Sequence, residues 1–266
     1  MPSQAFAVLT IVLFKALHFD CSRLIYRISI MANSDLSFSI LHPFSFQHPT
    51  TIMIAGPTMC GKTRLLVKAI KENLFRPAPT RMIWVYGEWQ SSYDDIRSFW
   101  PKVEFENEMT PELYETIKPD ENNLVVLDDK MNDDSGSKTL AKLFTQGAQH
   151  RNLTVVFIVQ NLFHQGESMR SVSLNAHYMF LFKNPRDKVQ VRALGSQMYP
   201  GDGNFLVSSY RDATEERYGY LLLDLHPETP EPLRVRTGIF RDDVPHVYVP
   251  KKGVDYKRGS KRARKE

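Results

Sequence analysis

Cysteine is nearly absent from this 266-residue chain, occurring only as Cys21 and Cys60. A disulfide framework is therefore excluded as the source of stability, and a reducing compartment fits the composition. No apolar run approaches the roughly 20 residues that span a bilayer; Ala5–Phe14 is the longest near the N-terminus, and Lys15 interrupts it. That run also lacks the basic flank and small-residue cleavage site of a signal peptide. No internal repeat is present, which removes solenoids and propellers. No stable membrane association is expected.

What is present suits a single globular domain. Hydrophobic residues make up 42% and charged residues 24% of the chain, so bulk disorder is not expected. The net charge of +4 is concentrated at one end. Residues 251–266 hold Lys251, Lys252, Lys257, Arg258, Lys261, Arg262, Arg264 and Lys265 against Asp255 and Glu266, which leaves the body slightly acidic. Three regions follow: an N-terminal extension over 1–35, a folded domain over 36–245, and a basic disordered tail over 246–266. Met31 precedes a polar stretch that would suit a start site, so the extension reads as non-essential; an uncleaved anchor is the alternative. The tail is either a solvated end or a nuclear-localisation or phosphate-contacting segment.

Hydrophobic periodicity gives alternating strands and helices. Thr51–Ala55, Met82–Tyr86, Leu124–Leu127, Thr154–Val159, Tyr178–Phe182 and Tyr218–Leu225 read as strands, with Val103–Phe105 a short further one. Leu65, Leu66, Ala69 and Ile70 recur at helical spacing, and so do Leu140, Leu143, Phe144 and Ala148 within Thr139–His150. Continuous apolar strands separated by helices imply an α/β fold with a mostly parallel central sheet covered on both faces.

The most informative segment lies between the first of those strands and the helix after it. Gly56-Pro57-Thr58-Met59-Cys60-Gly61-Lys62-Thr63 matches the phosphate-loop pattern G-x-x-x-x-G-K-[ST] in full. Glycines let the backbone wrap an anion with its N–H groups, and the helix dipole adds positive potential at the same point. Lys62 is expected to reach the β- and γ-phosphates of ATP, and the Thr63 hydroxyl to ligate Mg²⁺. A strand before and a helix after the motif argue against chance occurrence. Cys60 occupies a free position and is expected to confer sensitivity to thiol reagents.

Leu124–Leu127 delivers Asp128-Asp129, the hard oxygens that a Mg²⁺ site needs. Asp128 is assigned to the metal and Asp129 to the general base acting on the attacking water. Thr154–Val159 ends in Gln160-Asn161, and Gln160 is a candidate sensor of the γ-phosphate or that water. The strand Met82–Tyr86 intervenes along the chain between the phosphate-loop strand and the acidic strand. This order resembles the RecA-like, additional-strand class of P-loop NTPases. The base-reading pattern N-K-x-D is absent and Asp128 is not followed by the glycine of a D-x-x-G, since Met131 stands three positions after it, which favours ATP over GTP.

Gly56–Thr63, Leu124–Asp129, and His150-Arg151-Asn152 leading through Thr154–Val159 into Gln160-Asn161-Leu162-Phe163 resemble the FtsK–HerA superfamily. Within it they most resemble the genome-packaging ATPases of poxviruses and of Polinton-like or adintovirus-like elements. Phe182-Lys183-Asn184-Pro185-Arg186-Asp187 and Tyr218-Gly219-Tyr220 add to the likeness, which covers about Leu36 to Asp243. The resemblance implies a homo-oligomeric ring that drives double-stranded DNA into a capsid, with capsid or other packaging proteins as partners, in the nucleus or cytoplasm of a host cell. It also implies an arginine supplied by a neighbouring subunit, Arg151 the first candidate and Arg186 the second. One departure stands out: the superfamily usually has Asp-Glu where this chain has Asp128-Asp129. Two rival readings remain, a P-loop kinase and an ATP-binding interaction protein whose hydrolysis is weak or lost.

Overall fold

The computed structural model describes residues 36–39, 44–128, 140–148, 151–162, 167–186 and 188–250. In chain order the strands are β1 Leu36–Ser39, β2 Phe46–Gln47, β3 Thr51–Ala55, β4 Phe75–Arg76, β5 Arg81–Tyr86 and β6 Glu104–Glu106. They continue with β7 Asn123–Asp128, β8 Leu153–Val159, β9 Tyr178–Phe182, β10 Tyr220–Asp224, β11 Val235–Thr237 and β12 His246–Val249. The helices are α1 Lys62–Lys71, α2 Ser92–Phe99, α3 Pro111–Glu115, α4 Glu167–Leu174, α5 Lys188–Met198 and α6 Gly203–Ala213.

Among the described residues a ten-stranded sheet runs in the order β1-β12-β11-β10-β9-β3-β8-β7-β5-β6. From β9 to β6 every neighbouring pair is parallel, and β10, β11, β12 and β1 extend the sheet in antiparallel register. The strands of the parallel part alternate two apolar sets rather than an apolar and a polar one. Met53, Val125, Phe157 and Met179 enter the core on one face with Leu143, Val191 and Leu206. Ile54, Val126, Ile158 and Phe180 enter the core on the other with Leu66, Ile70 and Ile96. A strand buried on both sides must read as a continuous hydrophobic run, which is why these strands were legible.

Inside the parallel part, β8 lies between β3 and β7, and β5 flanks β7 on its outer side. On the β7 side, the strand next to the phosphate-loop strand is therefore the one that leads into Gln160. The helical reading of Thr139–His150 is modified in its described part: Leu143–Gly147 winds as a π-helix. Gly147 lets this turn approach β8, since a Cβ there would meet Leu153 Cδ2 at 3.3 Å.

The domain boundary at 245/246 is corrected. His246–Val249 is β12, paired with β11 and β1, and its Val247 and Tyr248 are buried. The short alternating stretch His-Val-Tyr-Val was absorbed into the basic segment that follows it. The first 35 residues and 251–266 lie outside the described residues. Among the described residues, no helix is long and apolar enough to cross a membrane.

Candidate nucleotide-binding site

The loop from Gly56 to Gly61 leaves the carboxyl end of β3 and enters α1 at Lys62. Its two glycines are required for different reasons. A Cβ at Gly56 would come within 2.6 Å of Phe182 Cβ and 2.8 Å of Cys60 Sγ, so no other residue fits against β9. Gly61 has φ +104°, a left-handed conformation that side chains rarely adopt. Met59 at the apex also has positive φ and is 91% exposed, so no apolar packing holds the loop there. The loop is anchored by Gly56 N–H donating to Val159 O at 3.1 Å, which fixes it to the end of β8.

Lys62 Nζ donates to the carbonyl oxygens of Gly56 at 2.7 Å and Pro57 at 3.0 Å. The ammonium thus lies over its own loop, held by two backbone oxygens. Thr63 Oγ1 donates to Asp128 Oδ2 at 3.3 Å, bringing together two residues 65 positions apart. Asp128, the last residue of β7, is 2% exposed. The same carboxylate oxygen accepts from Tyr93 OH at 2.8 Å. Tyr93 is itself fully buried on α2 among Trp84, Tyr86 and Phe105. A rigid phenol thereby fixes the rotamer of the carboxylate that faces Thr63.

A hydroxyl and a carboxylate meeting in this way fit Mg²⁺, which takes hard oxygens and retains several waters of its own. Among the described residues no cluster of three or more His, Cys, Asp or Glu exists. Gln160 follows β8 directly and is exposed on the same edge. Asp129 lies outside the described residues, as do Asp187 and His150. Cys60 is half-buried, and burial raises its thiol pKa even though Lys62 pulls it down. That disfavours the thiolate and tempers the expected thiol sensitivity.

Arg151 is not brought to this site. It precedes β8, at the edge of the sheet opposite the phosphate loop. There it donates to Glu115 Oε2 at 2.6 Å and to the carbonyls of Tyr114 and Ile117 at 3.2 and 3.1 Å, with its guanidinium over the Tyr114 ring. The Glu115 hydrogen bond raises its pKa further, against a smaller opposing effect of burial. Arg186 follows β9 on the phosphate-loop edge and is exposed. Its loop is pinned: Asn184 N–H donates to Tyr210 OH at 2.7 Å, and that hydroxyl donates to Phe182 O at 2.9 Å.

Two features escaped the sequence reading. Tyr93 gave no signal, since only the packing of α2 on the sheet brings it to Asp128. A cavity of about 600 Å³ opens beside α1, lined by Arg64, Lys68, Phe182, Tyr218, Phe240 and Asp243 among others. Its only trace in the sequence was Tyr218-Gly219-Tyr220.

No protein-family model and no curated protein matches the chain. Among solved structures it is similar to the genome-packaging NTPase B204 of Sulfolobus turreted icosahedral virus 2 in complex with ATP-gammaS, at 13% identity over 71% of this chain and 96% of that one, with a TM-score of 0.43. The DNA-packaging ATPase B204 of Sulfolobus turreted icosahedral virus is similar at 12% identity over 68% and 94%, TM-score 0.45. A KaiC-like protein of Pyrococcus horikoshii OT3 is similar at 12% identity over 50% and 70%, TM-score 0.35. At these identities and scores the likeness carries no functional argument, and the reading of the site stands on its own geometry.

Proposed function

We propose that this chain is a Mg²⁺-dependent ATPase acting as a homo-oligomeric ring that translocates double-stranded DNA for genome packaging. One observation carries the ATPase part: Lys62, Thr63, Asp128 and Gln160 gather at the carboxyl edge of three adjacent strands around a phosphate loop. Open α/β sheets bind ligands at that edge. Thr63 and Asp128 would hold a Mg²⁺ ion, which would supply Lewis-acid neutralisation of the charge that develops on the phosphate. Lys62 exchanges its backbone carbonyls for β- and γ-phosphate oxygens. Thr63 and Asp128 supply the metal-facing oxygens, with Tyr93 keeping Asp128 oriented. Asp129, next in sequence, accepts a proton from the attacking water, and Gln160 orients that water.

The resemblance of Gln160-Asn161 and Lys183-Asn184-Pro185-Arg186-Asp187 to genome-packaging ATPases supports duplex DNA as the translocated partner. In a ring, Arg186 suits the arginine lent to a neighbour better than Arg151, because Arg151 is engaged by Glu115 and two backbone carbonyls. Capsid proteins as partners, and the nucleus or cytoplasm of a host cell as the location, extend the same reading.

ATP turnover measured with double-stranded and with single-stranded DNA tests the motor. Stimulation by the duplex alone is expected; equal rates with no DNA, single strands and duplex would remove translocation from the reading. Asp129→Asn is expected to bind ATP and stop hydrolysis. Unchanged turnover in that variant would displace Asp129 as base, and absent turnover in the wild type would favour an ATP-binding interaction protein.

A further inference from the structure

Asp128 ends β7 and Gln160 follows β8, on one side of β3, whereas the 600 Å³ cavity lies over β9, β10 and β11 on the other. A nucleoside triphosphate wrapped by Gly56–Thr63 with its terminal phosphate toward Asp128 has its opposite end over that cavity. We propose that the cavity holds the purine base of the nucleotide, with the Tyr218 ring as its stacking platform, an assignment that rests on the phosphate-loop reading.

The Tyr218 ring is 43% exposed at the cavity wall and lies beside the last glycine of the loop: a Cβ on Gly61 would be 3.2 Å from Tyr218 Cδ1. The guanidiniums of Arg64 and Arg217 stand 5.8 and 4.8 Å from its centroid. Phe240 supplies a second aromatic wall, with Lys68 Nζ 4.4 Å from its centroid. The volume is in the range of small-ligand sites, and aromatic walls with a few polar groups suit a heterocycle. Asp243, also in the lining, accepts from Tyr220 OH at 3.3 Å and from Phe240 N–H at 3.3 Å, so the wall is braced from behind.

The backbone supports a functional reason for the ring's placement. Tyr218 has φ +66°, a strained conformation for an aromatic residue that glycine would adopt freely. Gly219 permits the tight turn that presents Tyr218, because a Cβ there would come 2.5 Å from Ala213 O. A position selected for stability alone would carry glycine at 218 too. The turn leaves an exposed aromatic ring beside the phosphate loop, the surface on which a base stacks.

The test compares binding of ATP, CTP and inorganic tripolyphosphate to wild type, Tyr218→Gly, Tyr218→Phe and Val244→Trp, with melting temperature as control. Val244 lines the cavity and is 66% exposed, so tryptophan there fills it without entering the core. Wild type is expected to bind ATP about tenfold or more tighter than tripolyphosphate, a margin of the size base–aromatic stacking provides, and tighter than CTP. Tyr218→Gly and Val244→Trp lose that margin and keep tripolyphosphate affinity, Tyr218→Phe retains it, and Tyr218→Gly melts no lower than wild type. A margin retained in Tyr218→Gly and Val244→Trp, or equal losses for ATP and tripolyphosphate, would overturn the base site while leaving the phosphate loop standing. Wild type that binds neither ATP nor tripolyphosphate would overturn both.

Discussion

At the carboxyl ends of β3, β7 and β8, polar side chains face one another across a loop whose own backbone satisfies Lys62. At the amino ends of the same strands, polar side chains lock the fold. Asn123 amide hydrogens go to the carbonyls of Lys118 and Glu121, His48 meets Thr154 at 2.7 Å, and His177 meets Thr50 at 2.9 Å. Arg236 donates to Asp224 at 2.6 Å, with both side chains largely buried. Residue type alone does not separate the two edges; strand direction does. Open α/β sheets bind ligands outside the carboxyl ends of their strands, and the polar residues at the amino ends here close the sheet.

The largest effect that would break this contrast concerns Lys62→Ala, which should weaken ATP binding by at least about a hundredfold by removing the charge over the phosphates. Titration calorimetry showing wild-type affinity would take the phosphate edge out of the account. On the opposite edge, Asp224→Ala should cost about 3–5 kcal/mol of unfolding free energy, because it strands a buried guanidinium. Nucleotide affinity per folded molecule should be unchanged, which denaturant titration and binding together will show.

Arg151→Ala sharpens the contrast further. Its partner Glu115 is 66% exposed, so the ion pair contributes little. The two backbone carbonyls matter more, and a loss of about 1–2 kcal/mol is expected. ATP turnover by the assembled protein should persist; abolished turnover with full stability would return Arg151 to the role of a neighbour's arginine.

The smallest effect is in pH. Burial lowers the pKa of both His48 and His177, the latter helped by nearby His226. The fold therefore favours the neutral rings, and the unfolded chain takes up protons first as pH falls past the ordinary value of 6.5. Stability should be full above that pH and decline below it until the folded-state values are reached. Melting temperatures flat from pH 7.5 to about 5.5 would contradict the burial of these rings as neutral groups.

The parallel half of the sheet was legible because burial on both faces leaves no polar residue to blur a strand. Thr51–Ala55 and Tyr178–Phe182 coincide with the expected limits residue for residue. Of the antiparallel extension, β10 was legible as Tyr218–Leu225, whereas β11, β12 and β1 were not: β11 has 3 residues, and β12 finds its partner β1 more than 200 positions away, at Leu36↔Val249. Tyr218 was read into a strand, but its positive φ sets it outside β10. In the site, the contiguous phosphate loop could be read directly. Tyr93 and the cavity could not, since they assemble from residues far apart. For Arg151 the structure adds what its motif did not signal, bonds to Glu115 and to the carbonyls of Tyr114 and Ile117.

Mg²⁺-dependent ATP turnover by wild type and Asp128→Asn, at matched folded concentration, tests the central claim that chemistry resides at the carboxyl edge. Turnover in the wild type and a loss of about a hundredfold or more in the variant are expected from removal of a metal-facing charge. Equal rates in the two proteins, or none in the wild type with Mg²⁺ and duplex DNA present, would contradict it.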